Sequence, residues 1–164
     1  GGLVLRVLLN ADLDEAIGML ATPAVSTDAG VDKRREAELP HDDHWRWRLR
    51  MAEEIASEID PARFGVVALY VLGSTKNATA GPRSDLDLLV HFRGDDLARR
   101  ALEEWLDGWS RCLSSVNYLR TGYRTEGLLD VHYVTDEDIA RQTSFAMKIG
   151  AVTDAARPLP LKQA

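Results

Sequence analysis

Two aspartates one residue apart, Asp85 and Asp87, are the side chains in this sequence whose spacing most clearly suits chemistry. They open an apolar run that has the pattern of a β-strand. Residues two apart on a strand project to the same side, so these carboxylates would stand about 6–7 Å apart. Paired carboxylates repel each other unless a cation lies between them, and such hard oxygen ligands suit Mg²⁺. The pair therefore predicts a divalent-cation site for Mg²⁺, with Mn²⁺ as the alternative ion.

A Gly-Ser pair, Gly73-Ser74, follows an earlier apolar run at 66–72. A glycine directly after a strand lets the backbone approach a ligand without a Cβ in the way. Backbone N–H groups of such a turn, with the Ser74 hydroxyl, could cradle the β- and γ-phosphates of a nucleotide, and Lys76 could contact a phosphate. Alone, the pair would more simply be a tight turn and helix cap. Since no Gly-Lys-Ser/Thr follows Gly81, a P-loop ATPase is excluded.

A third carboxylate, Asp130, lies on a later strand-like run at 128–134 and shares one strand face with His132. This carboxylate could complete the shell of a second metal ion, or accept the proton of an attacking hydroxyl. His132 could contact the substrate, but a role as a hydrogen-bond partner of the site residues is at least as good an interpretation. If Asp130 does not have this role, Asp136 and Asp138 are the next candidates.

These motifs together resemble the signature of the nucleotidyltransferase superfamily of the DNA polymerase β type, particularly its minimal nucleotidyltransferases. That signature has Gly-Ser after a first strand, Asp-x-Asp opening a second strand and a third Asp on a later one. The resemblance extends from about Asp43 to Val134. It implies a polymerase-β-like fold and Mg²⁺-dependent transfer of a nucleoside monophosphate from a triphosphate, with ATP expected, to a hydroxyl acceptor, with release of pyrophosphate.

The resemblance also implies roles for particular residues. The catalytic and metal-binding set would be Asp85, Asp87 and Asp130, and the nucleotide-binding set would be Gly73, Ser74 and Lys76. The acceptor would be a small molecule, a protein side chain or an RNA end.

A different function is compatible with the same fold. The superfamily includes antitoxin-like and regulatory proteins, and fold does not by itself determine function. The alternative is a non-catalytic nucleotide-sensing or partner-binding module of a larger protein. Because a sensor could dispense with one of the carboxylates, the presence of all three favours an enzyme.

Composition is that of an ordinary globular domain, with 45% apolar and 28% charged residues among 164. The net charge of −6 argues against a large binding surface for long nucleic acid. The single cysteine, Cys112, excludes an intramolecular disulfide, and its spacing from Trp105 and Trp109 predicts a buried thiol. No apolar run approaches the length of a membrane span. We therefore expect a cytoplasmic protein that does not bind membranes.

The helices and strands expected from the sequence must position these residues. Together they predict an α/β (α+β) fold, in which helices pack on a small mixed sheet. The strands are expected near 66–73, 86–92 and 128–134, and the helices near 43–59, 95–113 and 136–149. Residues 114–127 are polar, and we expect them to include an irregular loop. On the first helix, Trp45 is expected in the core and the arginines, Arg46, Arg48 and Arg50, on the solvent face.

The first forty residues have a different character. Residues 3–9 predict a short strand, 13–20 a short helix and 21–40 a linker rich in turn residues and charge. A long structureless link inside a compact domain is unusual. We therefore expect residues 1–40 to be an appendage, linker or end of a preceding domain that could attach a partner, and residues 41–164 to be the nucleotidyltransferase-like domain. The Gly-Gly opening without Met is what an expression scar or an excised domain would leave.

Overall fold

A computed structural model describes residues 44–162, in which helices pack on a four-stranded mixed sheet. The expectations for residues 1–40 lie outside the described part. In chain order the elements are α1 His44–Glu58, α2 Pro61–Phe64, β1 Val66–Val71, α3 Gly73–Lys76, β2 Leu86–Phe92, α4 Asp96–Thr121, β3 Leu129–Val134, α5 Asp136–Arg141, a 3₁₀ turn Ala146–Lys148 and β4 Arg157–Leu159. Between residues 44 and 162, no helix combines the length and the apolar character needed to cross a bilayer.

The sheet has the order β3-β2-β1-β4. β1 pairs antiparallel with both β2 and β4, whereas β2 and β3 run parallel. The three predicted strands and the mixed character of the sheet are confirmed. β4 adds a short edge strand from the C-terminal tail, where Pro158 is tolerated because an edge strand can lack a donor.

The two faces of β2 meet different surroundings, and this difference decides where the site can lie. Leu86, Leu88 and Val90 belong to the main core, which α1, α2 and α4 cover. Leu89 points the other way into a smaller cluster. Since side chains alternate along a strand, Asp87 shares the thinly covered face with Leu89. The sheet thus buries one side of β2 and leaves Asp87 only partly covered on the other.

Helix α4 is longer than its apolar pattern predicts. It continues to Thr121 and ends at Gly122, which adopts the left-handed conformation with φ 77°. The helix end expected near residue 113 is therefore wrong, and the irregular loop expected within 114–127 begins only after residue 121. The buried positions in this last part of the helix are polar, and their side chains are hydrogen-bonded. Ser114 Oγ donates to the carbonyl of Thr125, and Asn117 Nδ2 donates to the carbonyl of Tyr123.

Cys112 is exposed, so the prediction of a buried thiol is wrong. The spacing does place Cys112 on the same side of the helix as Trp105 and Trp109, but the two tryptophans are only partly buried and this side is not covered as far as Cys112. The buried positions of α4 are Leu102, Leu106, Ser110, Leu113, Ser114 and Asn117. Since successive helical residues turn by about 100°, Cys112 lies beside this stripe and faces solvent.

Arg48 is fully buried, which contradicts its assignment to the solvent face of α1. Its guanidinium donates to the Asn117 side chain at 2.8 Å and to the Ser84 carbonyl at 3.1 Å. Because these acceptors belong to α4 and to the segment before β2, Arg48 fastens that segment to two helices. Trp45 packs against the core as expected, while Arg46 and Arg50 are exposed.

The expected helix over 136–149 is also wrong in its length. Thr135 and Asp138 form a capping box at its start. The helix nevertheless ends at Arg141, because Gln142 adopts a left-handed φ of 53° and its N–H donates to the carbonyl of Asp138. No residue of α5 is buried, so packing does not extend it. The chain then turns and places Phe145 over the sheet.

Candidate active site

Asp87 and Asp130 are direct cross-strand partners on β2 and β3. In this parallel pairing Leu89 lies opposite His132, so the same face carries Asp130 and His132 on one strand and Asp87 on the other. Asp87 is partly buried and Asp130 is exposed. The strand pairing therefore brings together two carboxylates that are more than forty residues apart in sequence.

His132 completes a group of three donors with these aspartates. The ligand atoms of Asp87, Asp130 and His132 all lie within 4.8 Å of one another, and no other such group of three occurs within residues 44–162. Nε2 of His132 lies 3.4 Å from Oδ2 of Asp130. The imidazole stacks on Phe145, with ring centroids 3.9 Å apart and planes 18° from parallel. Two carboxylates and an oriented imidazole form a donor set that fits a divalent cation.

Gly73 lies against the Asp87 carboxylate. It has φ 59°, and a Cβ at this position would overlap Oδ2 of Asp87. The backbone N–H of Leu72 donates to the carbonyl of Asp87 at 3.0 Å. Ser74, partly buried, is the second residue of the one-turn helix α3. The Gly-Ser turn and the carboxylate pair are therefore adjacent parts of one site.

Asp85 lies just before β2, exposed to solvent and outside the group of three. Its charge still reaches the site, because it contributes to the electrostatics of Asp87. Burial raises the pKa of the Asp87 carboxyl above its ordinary value, and the charges of Asp130 and Asp85 raise it further, while His132 acts in the opposite direction. A cation at this position would relieve the repulsion that raises this pKa.

Lys76 is engaged with a carboxylate from the C-terminal segment. Its ammonium donates to Oδ1 of Asp154 at 2.5 Å and to the carbonyl of Ala155 at 3.0 Å. Lys148 binds the other carboxylate oxygen of Asp154. The two ammonium groups, Lys148 first, hold the pKa of Asp154 far below its usual range. A phosphate could reach Lys76 only by sharing or replacing this partner.

The alternative third carboxylates have structural partners of their own. Asp136 accepts hydrogen bonds from His91 and Arg93, each at 2.7 Å, and these contacts, that of Arg93 first, lower its pKa to about 2. Asp138 caps α5 through Thr135. Both carboxylates are therefore committed to holding β2, β3 and α5 in place.

Sequence reasoning missed three residues that the tertiary structure brings to the site: Phe145, Lys148 and Asp154. Their contacts depend on how the segment after α5 folds back, and no local spacing encodes that path. The one local signal in this segment is Gly150, a residue type that permits a positive φ and has φ 74° here.

A family model for the nucleotidyltransferase domain matches residues 49–143, more than half of the chain. The matched stretch contains Gly73, Ser74, Asp85, Asp87 and Asp130. Searches of curated proteins and of solved structures found no significant match. The motif geometry and the family match thus point to the same class of reaction.

Proposed function

The chain belongs to the nucleotidyltransferase-domain family, and from this premise we propose an enzyme that transfers a nucleoside monophosphate from a triphosphate to a hydroxyl. ATP is the proposed donor, and a small molecule or protein side chain the proposed acceptor. The observation that carries the proposal is the in-register pair of Asp87 and Asp130 beside the turn at Gly73. The net charge of −6 makes a long nucleic acid the least suitable acceptor.

The proposed cofactor is Mg²⁺, or Mn²⁺ in its place, and the residues present fit it. Asp87 and Asp130 would hold the ion, with Asp85 as a further carboxylate. Burial and then the charges of Asp130 and Asp85 raise the pKa of Asp87, and a cation would offset the repulsion among these carboxylates. When bound, the ion would neutralise charge on the triphosphate and align its α-phosphorus with the acceptor.

Asp130 and the turn at Gly73 would have different roles in the transfer step. The acceptor oxygen forms a bond to the α-phosphorus as the bond from that phosphorus to the β-bridging oxygen breaks, and pyrophosphate leaves. We assign the acceptor's proton to the Asp130 carboxylate, directly or through a water molecule. The backbone N–H groups after Gly73 and the Ser74 hydroxyl would donate to the departing phosphates.

Lys76 would assist by exchanging Asp154 for a phosphate oxygen. Lys76 is the last residue of the one-turn helix that begins at Gly73, so its place in the chain suits a contact with the triphosphate tail. The ion pair between Lys76 and Asp154 also favours the second candidate, a non-catalytic sensing or partner-binding module. In such a module Lys76 and Asp154 would form a permanent structural pair.

The location of the protein and the role of its first forty residues are part of the proposed function. We place the protein in the cytoplasm, in keeping with its single cysteine. Residues 1–40 would attach an additional domain or a protein partner to the catalytic unit formed by residues 41–164.

The deciding experiment is a calorimetric titration of the four common nucleoside triphosphates with and without Mg²⁺, followed by a pyrophosphate-release screen over hydroxyl acceptors. Asp87→Asn should lose both Mg²⁺-dependent binding and release. Asp107→Asn is the matched control, because Asp107 is an exposed carboxylate on α4 that pairs with Arg111. Tight binding without release on any acceptor would favour the sensing module. Absence of any triphosphate binding would contradict both the enzyme and the nucleotide-sensing module, and would leave only the partner-binding module.

A further inference from the structure

We propose that His132 is a direct ligand of the cation held by Asp87 and Asp130, and that its imidazole makes the site prefer Mn²⁺ to Mg²⁺. This inference rests on the proposed function and deepens it by naming a ligand and an ion preference. It departs from the sequence interpretation, in which His132 was a hydrogen-bond partner or substrate contact.

The first support is the distance between His132 and Asp130. Their nearest nitrogen and oxygen lie 3.4 Å apart. A second His–Asp pair on the same sheet, His91 with Asp136, makes a hydrogen bond of 2.7 Å. Charge-assisted hydrogen bonds are typically about 2.7–2.9 Å long, so the His132 contact is too long to be one. Two ligands about 2.0–2.2 Å from one ion and at right angles to each other stand about 3 Å apart. The His132 distance is closer to this value.

The second support is that all three donors converge. Asp87, Asp130 and His132 each present a ligand atom within 4.8 Å of the other two. Two donors on opposite sides of an ion are about 4.0–4.4 Å apart, so small side-chain rotations would bring the three donors into one coordination shell. A histidine that only oriented Asp130 would not need to face Asp87 as well.

The third support is the orientation of the ring. Phe145 stacks on the His132 imidazole with centroids 3.9 Å apart, and this contact restricts rotation of the ring. The His132 side chain is 25% exposed, so an ion can reach it. Metal-binding imidazoles are commonly held in place by neighbours, which lowers the entropic cost of binding. Phe145 would have this positioning role here.

The ion preference follows from the donor types. Mg²⁺ strongly favours oxygen ligands and dehydrates reluctantly. Imidazole nitrogen suits transition metals, while carboxylates suit Mg²⁺ and Mn²⁺ alike. Because Mn²⁺ accepts both oxygen and nitrogen ligands, the mixed set of two carboxylates and one imidazole should favour it over Mg²⁺. With His132 removed, the remaining oxygen ligands should discriminate much less between the two ions.

The test uses the full chain without nucleotide or acceptor and follows Mn²⁺ binding by electron paramagnetic resonance. Pulsed measurements should detect a nitrogen coupling from a histidine bound directly to the ion. His132→Gln should abolish this coupling and weaken Mn²⁺ binding by about tenfold or more. Mg²⁺ affinity, measured by competition, should change far less. His91→Gln is the matched control and should preserve both the coupling and the affinity.

The wild-type spectrum can overturn the proposal even if His132→Gln fails to fold. Mn²⁺ bound in an Asp87-dependent manner but without nitrogen coupling would overturn the role of His132 and leave the proposed function intact. A coupling that survives in folded His132→Gln would overturn the assignment as well. If neither Mn²⁺ nor Mg²⁺ binds, with or without ATP, the proposed function itself would fail.

Discussion

The Cα of Gly73 lies so close to the Asp87 carboxylate that a Cβ there would stand only 2.9 Å from the carboxyl carbon. Two motifs that are separate in sequence therefore share one surface. The turn expected to hold phosphates begins at the carboxylate expected to hold the cation. This adjacency suits a nucleotide whose phosphates bind the cation and the turn together, because neither group would have to move far.

Gly73→Ala should damage both the fold and the cation site. Alanine at φ 59° carries a backbone penalty of about 1–2 kcal/mol, and its methyl group would displace the Asp87 carboxylate. We expect lower stability in urea denaturation and weaker cation binding by titration. Gly108→Ala is the control, because Gly108 lies in α4 with open space around its Cα. It should raise helix stability by up to about 1 kcal/mol. Wild-type cation affinity in Gly73→Ala would show that the contact is unimportant.

Asp87→Asn should leave the metal-free protein at least as stable as the wild type at neutral pH. The pKa of Asp87 is raised in the fold, chiefly by burial and then by Asp130 and Asp85. Its stabilising contribution is therefore complete below the ordinary carboxyl pKa and is lost as pH rises through the raised value. Thermal unfolding in EDTA at several pH values measures this effect. Added Mg²⁺ should raise the melting temperature of the wild type only. An equal rise in the variant would remove Asp87 from the cation site.

Ser74→Ala and Asp130→Asn should impair different steps of the reaction. Loss of one hydrogen bond to a charged phosphate costs about 1.5–3 kcal/mol, so Ser74→Ala should weaken triphosphate affinity roughly ten- to a hundredfold. Asp130→Asn leaves Asp87 to hold the cation, so it should lose less of that affinity than Ser74→Ala, while slowing transfer by at least about a hundredfold, as expected for loss of a general base. Calorimetry and single-turnover kinetics separate the two. Similar affinity losses in both variants, with no further loss of rate in Asp130→Asn, would mean that Asp130 is only a ligand of the cation and not the base.

Asp154→Asn should strengthen triphosphate binding, because Lys76 would no longer have to leave a charged partner. Asp154 is exposed, so the gain should be modest, about two- to fivefold. Lys76→Met should weaken binding by about tenfold or more. Calorimetric titration with ATP and Mg²⁺ checks both values. If folded Asp154→Asn binds ATP no better than the wild type, the ion pair is purely structural.

Arg48→Met should destabilise the domain by at least about 2 kcal/mol. The change removes the donor from buried acceptors, among them the Asn117 side chain and the Ser84 carbonyl, at 2.8 and 3.1 Å. Arg50→Met, an exposed change on the same helix, should alter stability by no more than about 0.5 kcal/mol. Urea denaturation compares them. Equal stabilities for the two variants would mean that the buried network around Arg48 contributes nothing.

Much of the sheet could be predicted from the sequence because strand signals are local. The apolar runs at 86–92 and 128–134 correctly predicted strands, and the observed strands Leu86–Phe92 and Leu129–Val134 match them closely. Helix ends were harder to predict. Ser114 and Asn117 look like loop residues in sequence, yet they extend α4 because carbonyls of the following loop accept their hydrogen bonds, and Asn117 also donates to the distant carbonyl of Pro82. The same dependence on distant partners explains why the burial of Arg48 was missed.

By itself, the sequence determined which residues could do chemistry and which strand face each would occupy, because side-chain alternation is a property of the local backbone. Only the tertiary structure decided that Asp130 lies opposite Asp87, that Phe145 holds His132 and that Asp154 engages Lys76. These relationships arise from strand register and from the return of the chain after α5. Both are selected by burial and hydrogen bonding summed over the whole domain, so no short stretch of sequence contains them.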